Sequence, residues 1–193
     1  MRPNVPEPLQ AKAREDTAAY YGLCSAVDEN VGRLLAEVDD NTIVVFTSDH
    51  VFALWSRRVD AVELPYEETV RIPLLIRHPR GRLAGTRNDA LISNVDYAPM
   101  FLGLCGVAGT GSVPRRDAVF AEGELGTPGE WRMVLHGFEK LVAGASMRPT
   151  HLFDLRRDPY ELNNLVEEPA RRRQREDLLA RLRRWAADTT VKR

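Results

Sequence analysis

Cysteine is nearly missing from this chain: Cys24 and Cys105 are the two present in 193 residues, and neither has metal-type spacing to a second ligand. No disulfide framework can be drawn from them, and their apolar, helix-patterned surroundings predict two buried thiols. Long hydrophobic runs are missing too. Nothing approaches the roughly 20 residues of a membrane span, and the opening Met1-Arg2-Pro3-Asn4-Val5-Pro6-Glu7-Pro8 has no apolar core of a secretory leader. The chain as written is therefore expected in the cytoplasm and away from membranes. A surplus of charge is also absent. A net charge of -1 leaves no global attraction to nucleic acid or anionic lipid. Lysine is confined to Lys12, Lys140 and Lys192, so the positive charge is mostly arginine, which suits bidentate pairing with carboxylates and other anions. No internal repeat or low-complexity block interrupts the text.

Against this background one stretch stands out. Ile43-Val44-Val45-Phe46 is followed by Thr47-Ser48 and then by Asp49-His50. Consecutive large apolar residues, mostly β-branched, predict a buried strand, and the hydroxyl residues predict a polar tip. In an open parallel sheet, ligands bind at the carboxyl ends of strands. A carboxylate and an imidazole placed there, Asp49 and His50, can ligate a divalent cation. As a bare dipeptide the pair is more often a turn or a helix cap, and it is the preceding strand that favours a site. In the loop beyond, Arg57 and Arg58 are suitable donors to a sulfate or phosphate oxygen, the alternative being two surface arginines.

Around this stretch, apolar residues recur at helical spacing from Leu9 to Val38 through Tyr20, Cys24, Val27, Val31, Leu34 and Leu35, which predicts a long amphipathic helix broken by Asp39-Asp40-Asn41. A helix, a short turn and a strand read as one step of a parallel α/β sheet. Pro65 to Arg77 reads as a short polar helix or turn feeding a second strand, with Pro73 tolerated near its start or on an edge. Asp96 is placed to cap a helix from Tyr97 to about Cys105, with Gly106 as its stop. Gly109 to Arg116 has linker composition. Four short strand-like segments follow, Asp117 to Glu122, Trp131 to Leu135, Glu139 to Val142 and His151 to Leu155, and predict a small antiparallel sheet. The last element is a helix from about Pro169 to Asp188 with Leu178, Leu179, Leu182, Trp185 and Ala186 on one face. Its arginines are interspersed with Glu176 and Asp177, which favours a solvated face over a nucleic-acid surface.

At Thr47-Ser48-Asp49-His50 the sequence resembles the sulfatase family of alkaline-phosphatase-like hydrolases. The resemblance extends to Asp28-Glu29-Asn30-Val31-Gly32-Arg33-Leu34-Leu35, to Pro65-Tyr66-Glu67-Glu68 with Arg71-Ile72-Pro73-Leu74, and to Asn94-Val95-Asp96-Tyr97-Ala98-Pro99. It also takes in Leu152-Phe153-Asp154-Leu155, Asp158-Pro159, Glu161 and Asn163-Asn164-Leu165. It implies an α/β fold: part of a mainly parallel α/β/α sheet over residues 1–115, the C-terminal part of the catalytic domain, then a small C-terminal antiparallel sheet with a terminal helix over 116–193. It also implies sulfuric ester hydrolysis by a formylglycine made from Cys/Ser-x-Pro-x-Arg, assisted by a calcium-type cation, calcium or magnesium. That motif is absent, because Ser25-Ala26-Val27 follows Cys24 and Gly106-Val107-Ala108 follows Cys105.

The family's first acidic metal pair has no counterpart here either. Asp49 and His50 match the later metal pair, Val51 stands where the family has glycine, and Arg57 or Arg58 is the nearest substitute for a sulfate-contacting lysine. The expectation is a chain inactive alone and weak for metal. It would act on a sulfate ester if an N-terminal half completes it, would be prone to self-association, and could be exported as part of a full-length relative. The alternatives are a non-catalytic anion-binding or partner-docking module, or one half of a split hydrolase.

Overall fold

The computed structural model describes residues 4–56, 64–107 and 116–189. The chain forms two compact units that alternate in sequence: unit 1 is Met1–Val62 with Arg71–Asn88, and unit 2 is Glu63–Val70 with Asp89–Arg193. No described helix is long and apolar enough to cross a membrane.

Unit 1 begins with α1, Gln10–Glu37. The helix stops where Val38 turns to extended backbone. There the Asp39 carboxylate accepts from the Asn41 amide at 3.1 Å and the Thr42 hydroxyl at 2.6 Å, a local bond pattern that competes with helix. Of its 28 residues only Ala13 is buried. Of the apolar residues foreseen as a packed stripe, none is buried: Val27 and Leu34 are more than half exposed, Leu35 is exposed, and Tyr20 and Val31 are half-buried, while the neighbouring Tyr21 and Leu23 stand open as well. Cys24 is exposed with them, and so is Cys105 at the end of its own helix, which corrects the expectation of buried thiols.

Strands β1 (Val44–Thr47) and β2 (Leu74–Arg77) form a two-stranded antiparallel ladder, from Val44 opposite Arg77 to Thr47 opposite Leu74. The Thr47 hydroxyl adds a bond to the Pro73 carbonyl at 2.8 Å, beside the one residue there that has no amide to donate. The parallel pairing expected of β1 is therefore not what the described strands form. A parallel partner needs a crossover, usually a full helix. Among the described residues between these two strands the only α-helix is α2, Glu67–Val70, a single turn. The strand is also less buried than its composition implies, with Phe46 45% exposed on β1 and Leu75 58% and Ile76 42% exposed on β2.

Unit 2 is an antiparallel meander of β3 (Ala118–Gly123), β4 (Trp131–His136), β5 (Glu139–Gly144) and β6 (Pro149–Asp154), in that spatial order. Side chains alternate across it. On one face Val134, Leu141, Ala143 and Leu152 pack with Leu178 and Leu182 of the closing helix α4, Arg172–Thr189. Phe120 and Trp185 stack there at 5.1 Å with planes 4° apart. The other face carries Trp131, Met133 and Val142 with Val70 of α2 against them.

A second helix, α3 (Tyr97–Leu104), is entered through a turn in which Ser93 and Asp96 bond reciprocally; Asp96 stands at the N-cap position foreseen for it but makes no side-chain cap bond to α3, its carboxylate accepting the Ser93 amide at 2.9 Å instead. Asp96 is buried and held bidentately by Arg116, Nε lying 3.0 Å from Oδ2. Burial alone would raise its pKa, yet the bonds from Arg116 and from the Ser93 amide outweigh it and hold the carboxyl below its ordinary value. Residues 108–115, most of the stretch with linker composition, lie outside the described residues.

Candidate functional site

The site foreseen at the end of β1 belongs to unit 1. Beyond Thr47 the chain leaves the ladder, and Ser48, Asp49 and His50 form a compact polar turn. The Ser48 hydroxyl donates to the His50 carbonyl at 2.7 Å and to Asp49 Oδ1 at 3.4 Å, and the His50 amide donates to the same carboxylate oxygen at 2.8 Å. His50 Nε2 lies 3.6 Å from Asp49 Oδ2, a charge pair whenever the imidazole is protonated. The imidazole meets the Phe52 ring edge-on at 6.1 Å, and Phe52 meets Tyr20 of α1 edge-on at 5.9 Å. An aromatic chain thus fixes the ring that the turn presents. The His50 amide is the main reason the Asp49 carboxyl lies below its usual pKa, with smaller help from the imidazole and the Ser48 hydroxyl.

The arrangement offers ionised oxygen and imidazole nitrogen to solvent, since the Asp49 side chain is 84% exposed and that of His50 45%. Calcium takes about six to eight oxygen donors. Asp49 and His50 can supply only two or three, one carboxylate oxygen is already turned back onto the backbone, and no group of three or more His, Cys, Asp or Glu side chains arranged to hold a metal exists among the described residues. The donor set does not amount to a cation site on its own. Arg57 and Arg58, the anion donors foreseen in the following loop, lie outside the described residues.

One charged centre escaped the sequence reading. Lys140, in the middle of β5, is fully buried together with Glu161. The only trace it leaves in the sequence is a lone lysine beside the apolar run Leu141-Val142-Ala143.

Comparison with known proteins places these features. A profile of the Sulfatase family matches residues 2–107. N-acetylglucosamine-6-O-sulfatase of Bacteroides thetaiotaomicron is 30% identical over 187 aligned residues, covering 83% of this chain and 34% of that protein. The ulvan-active sulfatase of Formosa agariphila is 28% identical, covering 97% and 42%. Among solved structures, a putative sulfatase from Bacteroides fragilis superposes with a TM-score of 0.83 at 22% identity over 99% of this chain and 47% of its own. A protein crystallised with its substrate D-glucosamine-2-N,6-O-disulfate superposes at 0.75 with 28% identity over 86% and 40%. This chain thus spans less than half the length of these relatives, and what it matches is their C-terminal part. A strand tip bearing Thr47-Ser48-Asp49-His50, the profile match across it and the shared fold together make this chain a member of the sulfatase family.

Proposed function

We propose that this chain is the C-terminal part of a sulfatase-type ester hydrolase. In this reading it contributes Asp49 and His50 to a divalent-cation site and Arg57 or Arg58 to the sulfate, while the nucleophile and the first acidic pair come from polypeptide outside residues 1–193. The observation that carries the reading is the exposure of unit 1: the Asp49 carboxylate stands open at the strand tip, and the apolar residues of α1, β1 and β2 stand open beside it. Both are what remains of a catalytic sheet when its other strands are not in the chain. Further parallel strands would then lie against β1, with residues 1–115 belonging to the catalytic α/β domain and 116–193 forming the small C-terminal domain. The cation would be calcium or magnesium, held weakly by this chain alone. The activities named for the relatives favour a sulfated sugar as substrate. The superposition with phosphonate monoester hydrolases keeps a phosphonate ester in the class of substrates to test.

The same exposed surface supports a second reading, in which the chain works as one half of a split hydrolase or docks a partner without catalysis. Assay of the purified chain with a chromogenic aryl sulfate separates these from an enzyme complete in itself. No turnover is expected from residues 1–193. Turnover should appear only when a polypeptide with Cys-x-Pro-x-Arg is supplied, and should fall with Asp49→Asn. Turnover by the chain alone that Asp49→Ala abolishes would overturn the proposal.

A further inference from the structure

The second face of the unit 2 sheet is closed by a segment that arrives from far away in sequence. Residues 64–70 fold with unit 2, although unit 1 flanks them on both sides in the chain. Tyr66 meets His151 edge-on at 5.8 Å and Phe153 at 6.2 Å, and its hydroxyl lies 3.3 Å from His151 Nε2. Val70 packs against Trp131, Met133 and Val142. Between these apolar contacts sits a charge cluster. The Lys140 ammonium lies 2.8 Å from Glu161 Oε1 and 3.1 Å from Glu67 Oε1, and Glu161 Oε2 accepts the Glu67 backbone amide at 2.9 Å. Glu161 therefore serves two partners at once, the lysine of β5 and the first backbone amide of α2.

Removing three charged groups from water is unfavourable, and apolar side chains of similar volume often stabilise a core as well or better. Overall stability therefore does not explain the cluster. What an ionic and hydrogen-bonded cluster adds is direction: it holds one backbone amide at one place, which packing of Tyr66 and Val70 alone does not require. We propose that Lys140 and Glu161 are positioning residues, a staple that fixes the segment 64–70 on the C-terminal sheet. The staple thereby fixes where the segment 64–70 sits within unit 2, and it can be tested without any activity.

The test is hydrogen exchange, resolved by residue, on the purified chain and two variants. In Lys140→Met/Glu161→Leu the sheet should keep its core, so the amides of β4 and β5 should stay within about threefold of wild type. The amides of Glu67, Thr69 and Val70, all bonded in the native segment, should exchange at least about tenfold faster. Glu161→Gln retains an acceptor for the Glu67 amide and should keep protection in 64–70 within about threefold of wild type. Unchanged exchange in 64–70 in the double variant would overturn the staple. Parallel loss in β4, β5 and 64–70 would overturn it as well, because the cluster would then be ordinary core. Loss in Glu161→Gln as large as in the double variant would contradict the role given to the Glu67 amide.

Discussion

Two helices of the chain carry similar apolar stripes and meet opposite fates. In α4, with 18 residues, Leu178 is 3% exposed and Leu182 is fully buried. In α1, longer at 28 residues, the equivalent Leu23 and Leu34 are 68% and 69% exposed. The difference lies in what each unit provides to cover the stripe. Unit 2 holds a four-stranded sheet with α4 on one face and the segment 64–70 on the other, whereas unit 1 holds a two-stranded ladder. A sequence pattern states which side chains want burial; whether they obtain it depends on partners that the pattern does not name.

The contrast can be broken most severely in unit 2. Leu182→Ala removes a fully buried side chain from the α4 contact and is expected to cost about 2–5 kcal/mol in urea unfolding, whereas Leu34→Ala should change stability by no more than about 0.5 kcal/mol. Comparable losses at both positions would mean that α1 is covered after all.

Next in size is the Asp96–Arg116 pair. Arg116→Met leaves a buried carboxylate without its guanidinium and should cost about 3 kcal/mol at neutral pH. The sign with pH follows from the lowered Asp96 pKa. Between the folded and unfolded pKa values the unfolded chain binds more protons, so the pair's stabilisation is present above the ordinary carboxyl pKa and is lost as pH falls through the lower, folded one. Acid unfolding of the wild type should show this loss and Arg116→Met should not.

These effects show what the sequence could and could not disclose. The bounds of α1 were legible to within a residue, and those of the four meander strands and α4 to within about two or three, because each is a local periodicity with a breaker at its end. Asp49 and His50 were legible as residues at a strand tip, but the return of the carboxylate onto the His50 amide was not, since it depends on the turn's backbone. The antiparallel pairing of β1 with β2 was not legible, because an apolar strand looks the same in either kind of ladder. Lys140 was missed because its partner Glu67 stands 73 positions away. An ion pair that crosses so much chain leaves no spacing to recognise.

A smaller effect sharpens the comparison on the unit 1 side. The exposed stripe of α1 and the open faces of β1 and β2 should drive concentration-dependent association. Leu23→Glu with Leu34→Glu should reduce it in sedimentation velocity while leaving the melting of unit 2 in place. Association that survives both substitutions would place the contact elsewhere. The smallest effect concerns metal. Calorimetric titration of calcium should give an affinity no better than roughly millimolar, in the range of weak sites, with Asp49→Asn changing it little. Micromolar affinity lost in that variant would mean that further ligands complete the site.

The central claim is that unit 2 is a finished fold and that unit 1 is part of one. Native-state hydrogen exchange on the dilute, monomeric chain tests it directly. The amides of β4 and β5 should open only with global unfolding, while those of α1, β1 and β2 should exchange through much easier local opening, at least about a hundredfold faster. Equal protection of α1 and β5 in a monomer would show that unit 1 stands without further polypeptide and would contradict the account.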